Sequence, residues 1–209
     1  MFTVRGDPVG AVYGWYLDDI ELYTCDLPRI SNLAAPRIVT SVRYPATLAA
    51  TSDRWSPAAV RKAYQWLRNG AAIPGATGAT YRLVAADVGR RLSVRVTASA
   101  TGYVARAATS NATAAVLPGR LVGATPKIRG TARVGKVLKV SRGSWGSGVR
   151  LRQRWYRNSK AIRGATGTSY RLTRKDLRKR ISVKVTGTKA GYAATTRASR
   201  PTAKVRPRP

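Results

Sequence analysis

Every second residue along Leu92-Ser93-Val94-Arg95-Val96-Thr97 is apolar, and the same alternation returns in Ile181-Ser182-Val183-Lys184-Val185-Thr186. Because successive side chains of a strand point to opposite sides, a period of two predicts a strand with one face in a core and the other in water. Other short runs carry the pattern less completely: Leu138 and Val140 mark one inward face, and Leu151, Gln153 and Trp155 mark another. These runs are separated by Gly, Asn, Pro and Asp turns at intervals of about ten residues, which is the spacing of a β-sandwich. Asn69-Gly70 is a two-residue hairpin signal, and Asn158-Ser159 occupies the same place later in the chain.

That correspondence extends over most of the molecule. The block Trp66-x-Arg68-Asn69-Gly70-x-x-Ile73-x-Gly75-Ala76-Thr77-Gly78 returns, shifted by 89 residues, as Trp155-x-Arg157-Asn158-Ser159-x-x-Ile162-x-Gly164-Ala165-Thr166-Gly167. The shift holds through Asp87 and Asp176, Gly102-Tyr103 and Gly191-Tyr192, and Val116 and Val205, with about half of the aligned positions identical. A period this long gives each copy room for its own core, so residues 36–119 and 120–206 are expected to be two tandem modules of one fold, with 207–209 as a tail. Trp66 and Trp155 fall in the strand before the hairpin and are expected to fill the space between two sheets. Trp55 and Trp145 match with a one-residue indel and lie in Ser- and Gly-containing segments, which leaves their burial open. Asp87 and Asp176 precede the alternating strands, where an aspartate fixes a corner by bonding its own backbone.

Residues 11–25 are aromatic and β-branched, and read as one or two strands. They are too few to bury a core, so residues 1–27 are expected to be the end of a larger β-domain, followed by a linker over 28–35 between Pro28 and Pro36.

Charge divides the chain along similar lines. Residues 1–35 carry two Arg against five Asp or Glu, residues 36–119 eleven Arg or Lys against two Asp, and residues 120–209 twenty-six against one. Such asymmetry points to an anionic partner for the second module. Histidine is absent, which removes the usual general base and the commonest zinc ligand, so no catalytic residue is assigned and no cofactor is expected. Cys25 is the only cysteine; a disulfide within the chain is excluded. No apolar run approaches the length of a membrane span.

The motif quoted above, continued by Leu-x-Val-x-Val-Thr and Gly-Tyr, resembles the tandem immunoglobulin-like repeats at the ends of actinobacterial secreted and cell-surface proteins. The resemblance implies noncatalytic accessory modules outside the cell or on its surface, without the inter-sheet disulfide of antibody domains. Ser159 and Arg178 depart from the pattern, each standing where it has Gly. The stretch Gly14-Trp-Tyr-Leu-Asp-Asp-Ile-Glu-Leu-Tyr-Thr-Cys25 is similar to the closing strand of the jelly-roll domain of immune inhibitor A type secreted metallopeptidases. That second resemblance implies a missing upstream domain and a structural calcium beside the strand, with Asp18 or Asp19 as carboxylates. Calcium takes about six to eight oxygens, which two carboxylates on one strand do not supply, so a solvated acidic edge is the expectation and no metal site is assigned.

The fold class expected is therefore all-β: two tandem immunoglobulin-like β-sandwiches after a short jelly-roll remnant. Three functions follow from different features. The leading one is a noncatalytic accessory or spacer module that attaches to anionic cell-envelope glycopolymers. A metallopeptidase fragment is the second, although the chain lacks a zinc-binding His-Glu-x-x-His. Nonspecific nucleic-acid binding is the third, favoured by charge and disfavoured by the lack of a recognised nucleic-acid motif. Alternation assigns the binding residues: with Trp155 inward, Arg150, Arg152 and Arg154 point outward, and by the same rule Arg180 and Lys184 point away from Ile181, Val183 and Val185. These five cations are expected to share one exposed face. The first module keeps Arg61, Arg91 and Arg95 there.

Overall fold

The computed structural model of the chain describes residues 26–39, 41–51 and 53–208. The expected jelly-roll strand, with Asp18, Asp19 and Cys25, lies outside them. In the first module the strands are β1 (Ser31–Ala34), β2 (Arg37–Val39), β3 (Thr47–Thr51), β4 (Arg54–Ser56), β5 (Arg61–Arg68), β6 (Ala71–Ala72), β7 (Thr80–Arg82), β8 (Leu92–Ser99) and β9 (Arg106–Thr109). The second contains β10 (Gly119–Arg120), β11 (Lys127–Arg129), β12 (Val137–Ser141), β13 (Arg150–Arg157), β14 (Lys160–Ala161), β15 (Ser169–Arg171), β16 (Ile181–Thr188), β17 (Tyr192–Ala193) and β18 (Thr195–Ala198).

Each module is a three-stranded sheet facing a four-stranded one. The orders are β2-β3-β7 and β6-β5-β8-β9 in the first, and β11-β12-β15 and β14-β13-β16-β18 in the second. The neighbours within these sheets are antiparallel, and the chain changes sheet after β3, β6 and β7, and again after β12, β14 and β15, which is the seven-strand arrangement of an immunoglobulin-like sandwich. Two separate clusters of buried side chains fill them: Leu48, Trp66, Leu92, Val94 and Val96 lie in one, and Leu138, Trp155, Ile181, Val183 and Val185 hold the equivalent places in the second module.

The inward indoles anchor both cores. Trp66 and Trp155 have no exposed surface. Each satisfies its one polar atom by donating Nε1–H to a backbone carbonyl, Gly78 or Gly167, at 2.9 Å. Each stacks on the tyrosine of the opposite sheet, Tyr81 or Tyr170, with ring centroids 5.6 and 5.8 Å apart. Trp55 and Trp145, open on sequence grounds, are buried as well. Trp145 lies so close over Gly123 and Gly187 that a Cβ at either would fall within 2.5 Å of its ring. Small residues are required under it.

The corner aspartates carry more than their own turns. Asp176 is fully buried; its Oδ2 accepts from the Thr173 backbone N–H at 2.7 Å and from the Tyr170 hydroxyl at 3.0 Å, and its Oδ1 pairs with Arg157 Nε at 2.6 Å. Asp87 makes the same bonds to Val84, Tyr81 and Arg68. The corner therefore ties the short helical turn to both sheets. Burial by itself would raise the Asp176 carboxyl, but the Thr173 N–H, Arg157, and the Thr173 and Tyr170 hydroxyls outweigh it and hold the group below its ordinary value.

One expectation changes. Residues 28–35 are not a linker: Ile30 is fully buried in the first core, its N–H bonds the Val104 carbonyl, and β1 pairs with β4. Pro28 lacks an N–H and so suits the beginning of a strand as well as a loop; its carbonyl accepts from the Val104 N–H. The second module begins in the same way, with Gly119-Arg120 pairing in parallel with Tyr192-Ala193. There the modules touch: Tyr44 meets Tyr192 edge to face at 5.2 Å.

Truncation of Trp155 to Ala is expected to cost the second module about 3–5 kcal/mol, and Trp66→Ala the first module as much. Urea unfolding followed by circular dichroism checks this. A carboxylate with a depressed folded-state value contributes stability that is complete above its unfolded value, near pH 4, and is lost as pH falls through the folded-state value. Asp176→Asn is therefore expected to lower stability at neutral pH by about 3 kcal/mol and to flatten the acid limb of stability against pH measured for the second module.

Candidate functional site

β13 and β16 are eight-residue neighbours whose register pairs Trp155 with Val183, Arg154 with Lys184 and Arg152 with Thr186. With Trp155, Val183 and Val185 buried, the alternate residues turn outward, and Arg150, Arg152, Arg154 and Lys184 are all exposed. Three arginines at alternate positions form a ladder with a spacing of about 6.8 Å along the strand. Lys184 stands directly across from Arg154, where Cβ atoms approach to about 5 Å and like charges destabilise the pair. None of these four makes an ion pair among the described residues. Lys184 Nζ lies 4.9 Å from the centre of the Tyr156 ring, which shares its face.

An open depression of ≈ 970 Å³ occupies this surface. Arg152, Arg154 and Lys184 supply charge to its lining, and Tyr156, Thr186 and Thr196 supply hydroxyls. Thr186 and Thr196 are hydrogen-bonded to each other at 2.8 Å across β16 and β18. At its edge the Gln153 side chain donates Nε2–H to the Thr166 carbonyl at 2.6 Å, while its buried Oε1 has no hydrogen-bond partner among the described residues. Positive charge, hydroxyls and one aromatic plane together suit an extended anion with polar substituents.

Arg180 does not join the other four. It lies about 13 Å along the strand line from Lys184, and its guanidinium donates to the Thr202 carbonyl at 3.1 Å while its backbone N–H bonds Asn158 Oδ1. Arg91 does the same in the first module, reaching Thr113 and Asn69. Both arginines clamp a loop to a hairpin. Alternation carries no information on that loop carbonyl. Tyr156, Thr186 and Thr196 were not singled out from sequence, although Tyr156 shares the parity of Arg152 and Arg154.

The first module supplies an internal comparison. At the places of Arg152, Arg154 and Lys184 it has Ala63, Gln65 and Arg95, with Gln65 facing Arg95. Its Asp53 pairs with Lys62 at 3.0 Å, and burial would raise that carboxyl but bonds from Trp55 and Lys62 hold it low. Gly143 stands at the corresponding position in the second module, leaving Asp176 as its one carboxylate. No group of His, Cys, Asp and Glu able to hold a metal occurs among the described residues, and none of their helices is long and apolar enough to cross a membrane.

No known family's sequence profile and no curated protein matches the chain. Among solved structures it is similar to the tandem Ig repeats of Dlar, at 16% identity over 86% of this chain and 98% of that one, with a TM-score of 0.28. It is also similar to IG1+IG2 of DIP-gamma, at 12% identity over 82% and 96%, TM-score 0.29. A third similarity is to domains A168-A170 from titin, at 12% over 84% and 59%, TM-score 0.28. At these values the immunoglobulin-like architecture rests on the strand order and register given above.

Arg154→Glu places opposite charges across the β13–β16 pair and is expected to stabilise the second module by about 0.2–1 kcal/mol at low salt, with the gain shrinking as salt is added. Thermal unfolding at two ionic strengths checks this.

Proposed function

We propose that this chain is a noncatalytic accessory element of a secreted or surface protein, and that its second module attaches to anionic cell-envelope glycopolymers through the outer face of β13 and β16. One observation carries the reading: Arg150, Arg152 and Arg154 ascend one strand with Lys184 facing Arg154, and none of the four is paired with a carboxylate among the described residues. Such an arrangement opposes folding, and an anionic polymer that displaces small counterions relieves it. Hydroxyls in the adjoining depression suit the polyol or sugar part of such a polymer. The resemblance to accessory repeats of secreted proteins supports a location outside the cell.

Attachment of this kind depends on salt and hardly on sequence. Retention of the full chain on isolated cell walls rich in phosphodiester glycopolymer is expected to be strong at low salt. Charge reversal of Arg152, Arg154 and Lys184 to Glu is expected to reduce it at least about tenfold there, and high salt to abolish the difference. Retention that is unchanged by the three substitutions and independent of salt would leave the module as a spacer. A parallel filter-binding series with single-stranded DNA separates the nucleic-acid reading, which requires DNA to be held more tightly than the glycopolymer.

A further inference from the structure

The opposite sheet of the second module repeats the same departure from its partner. In β11, β12 and β15 the residues Ile128, Leu138, Val140 and Tyr170 face the core. Lys127, Arg129, Lys139 and Arg171 alternate with them and are exposed. Register places Arg129 directly across from Lys139, and Val137 from Arg171, so that Arg171 is the diagonal neighbour of Lys139. Arg171 gives one donor to the Gly135 carbonyl at 3.1 Å; no carboxylate pairs with any of the four among the described residues.

The first module shows what this sheet needs in order to fold. It keeps Arg37 and Arg82 at the places of Lys127 and Arg171, but the central pair is Val39 facing Ala49. An apolar pair therefore serves in the same ladder, and Arg129 facing Lys139 is a like-charge contact that the strand order does not require. Together with Arg154 facing Lys184, the second module has two such contacts, one on each sheet. The sheets of a sandwich lie about 10 Å apart, and the cations project outward from each, so the two charged layers are separated by more than a Debye length, about 8 Å at physiological salt. One polymer strand lying on β13 and β16 cannot neutralise Lys127, Arg129 and Lys139.

We infer that the outer face of β11, β12 and β15 is a second polyanion-binding surface, so that one module holds two anionic strands on opposite sides and bridges them. The inference rests on the proposed function for the ligand class and extends it from attachment to cross-linking. Its occupant is a second phosphodiester-type strand, chosen by charge complementarity.

The test uses the full chain and long-chain inorganic polyphosphate in two layers: one immobilised, which captures the protein, and one soluble and labelled, which the captured protein then binds. Wild type is expected to capture both. Arg129→Val with Lys139→Ala installs the pair that the first module already uses, and so preserves the ladder. At equal protein loading this variant is expected to keep first-layer affinity within about twofold while its capture of labelled polymer falls at least about fivefold. Undiminished second-layer capture would overturn the bridging inference while leaving the first face intact. Arg152→Ala with Arg154→Gln, again taken from the first module, tests the other face: it is expected to reduce second-layer capture likewise. If that variant instead matched wild type in both layers, the β13–β16 face would lose its assigned role, whatever the result on the opposite sheet.

Discussion

Residues 120–209 contain twenty-six Arg or Lys and a single carboxylate, Asp176, which is buried and paired with Arg157. Every other cation of the second module must be neutralised by something outside it. This constraint separates what holds the module together from what it presents. The core is built from Trp155, Leu138, Ile181, Val183 and Val185, which do not depend on surface charge. The exposed alternate positions are then free to carry charge, at the cost of mutual repulsion.

The first module shows the less charged alternative position by position, because it has the same strand order without most of the charge. Val39 faces Ala49 where Arg129 faces Lys139, and Gln65 faces Arg95 where Arg154 faces Lys184. A third difference is conformational. Gly89 sits at φ 79°, whereas Arg178 occupies the same turn at φ 60°, a region that penalises a side chain. Asn158-Ser159 likewise holds the left-handed turn that Asn69-Gly70 makes with glycine. At several of these places the second copy accepts locally unfavourable chemistry and gains only positive charge. Natural sequences break local rules in this way chiefly where function demands it.

Much of this was legible in the sequence because sandwich strands alternate strictly. Val94 and Val183 predicted the buried faces, Trp66 and Trp155 the space between sheets, and Asp87 and Asp176 the corners. Alternation also placed Arg150, Arg152, Arg154 and Lys184 on one side. What it missed depends on contacts between residues distant in the chain. Ile30 and Ser31–Ala34 joined the first module because the Val104 carbonyl accepts from Ile30 and β4 pairs with β1, which no local pattern encodes. Arg180 was drawn away by the Thr202 carbonyl, 22 residues later. Arg157 was indistinguishable from its neighbours until Asp176 was seen to hold it, and the burial of Trp145 became evident only from Gly187 on another strand.

Repulsion that awaits an external anion has a thermodynamic signature that neither a spacer nor a self-neutralised domain shares. A ligand that binds only the folded state raises the unfolding midpoint. The most direct measurement is therefore calorimetric unfolding of the full chain at low ionic strength with increasing long-chain polyphosphate. The transition of the second module is expected to rise with polymer concentration while that of the first moves far less, and high salt is expected to cancel the rise. Midpoints of both modules that shift equally, or not at all, would contradict the account.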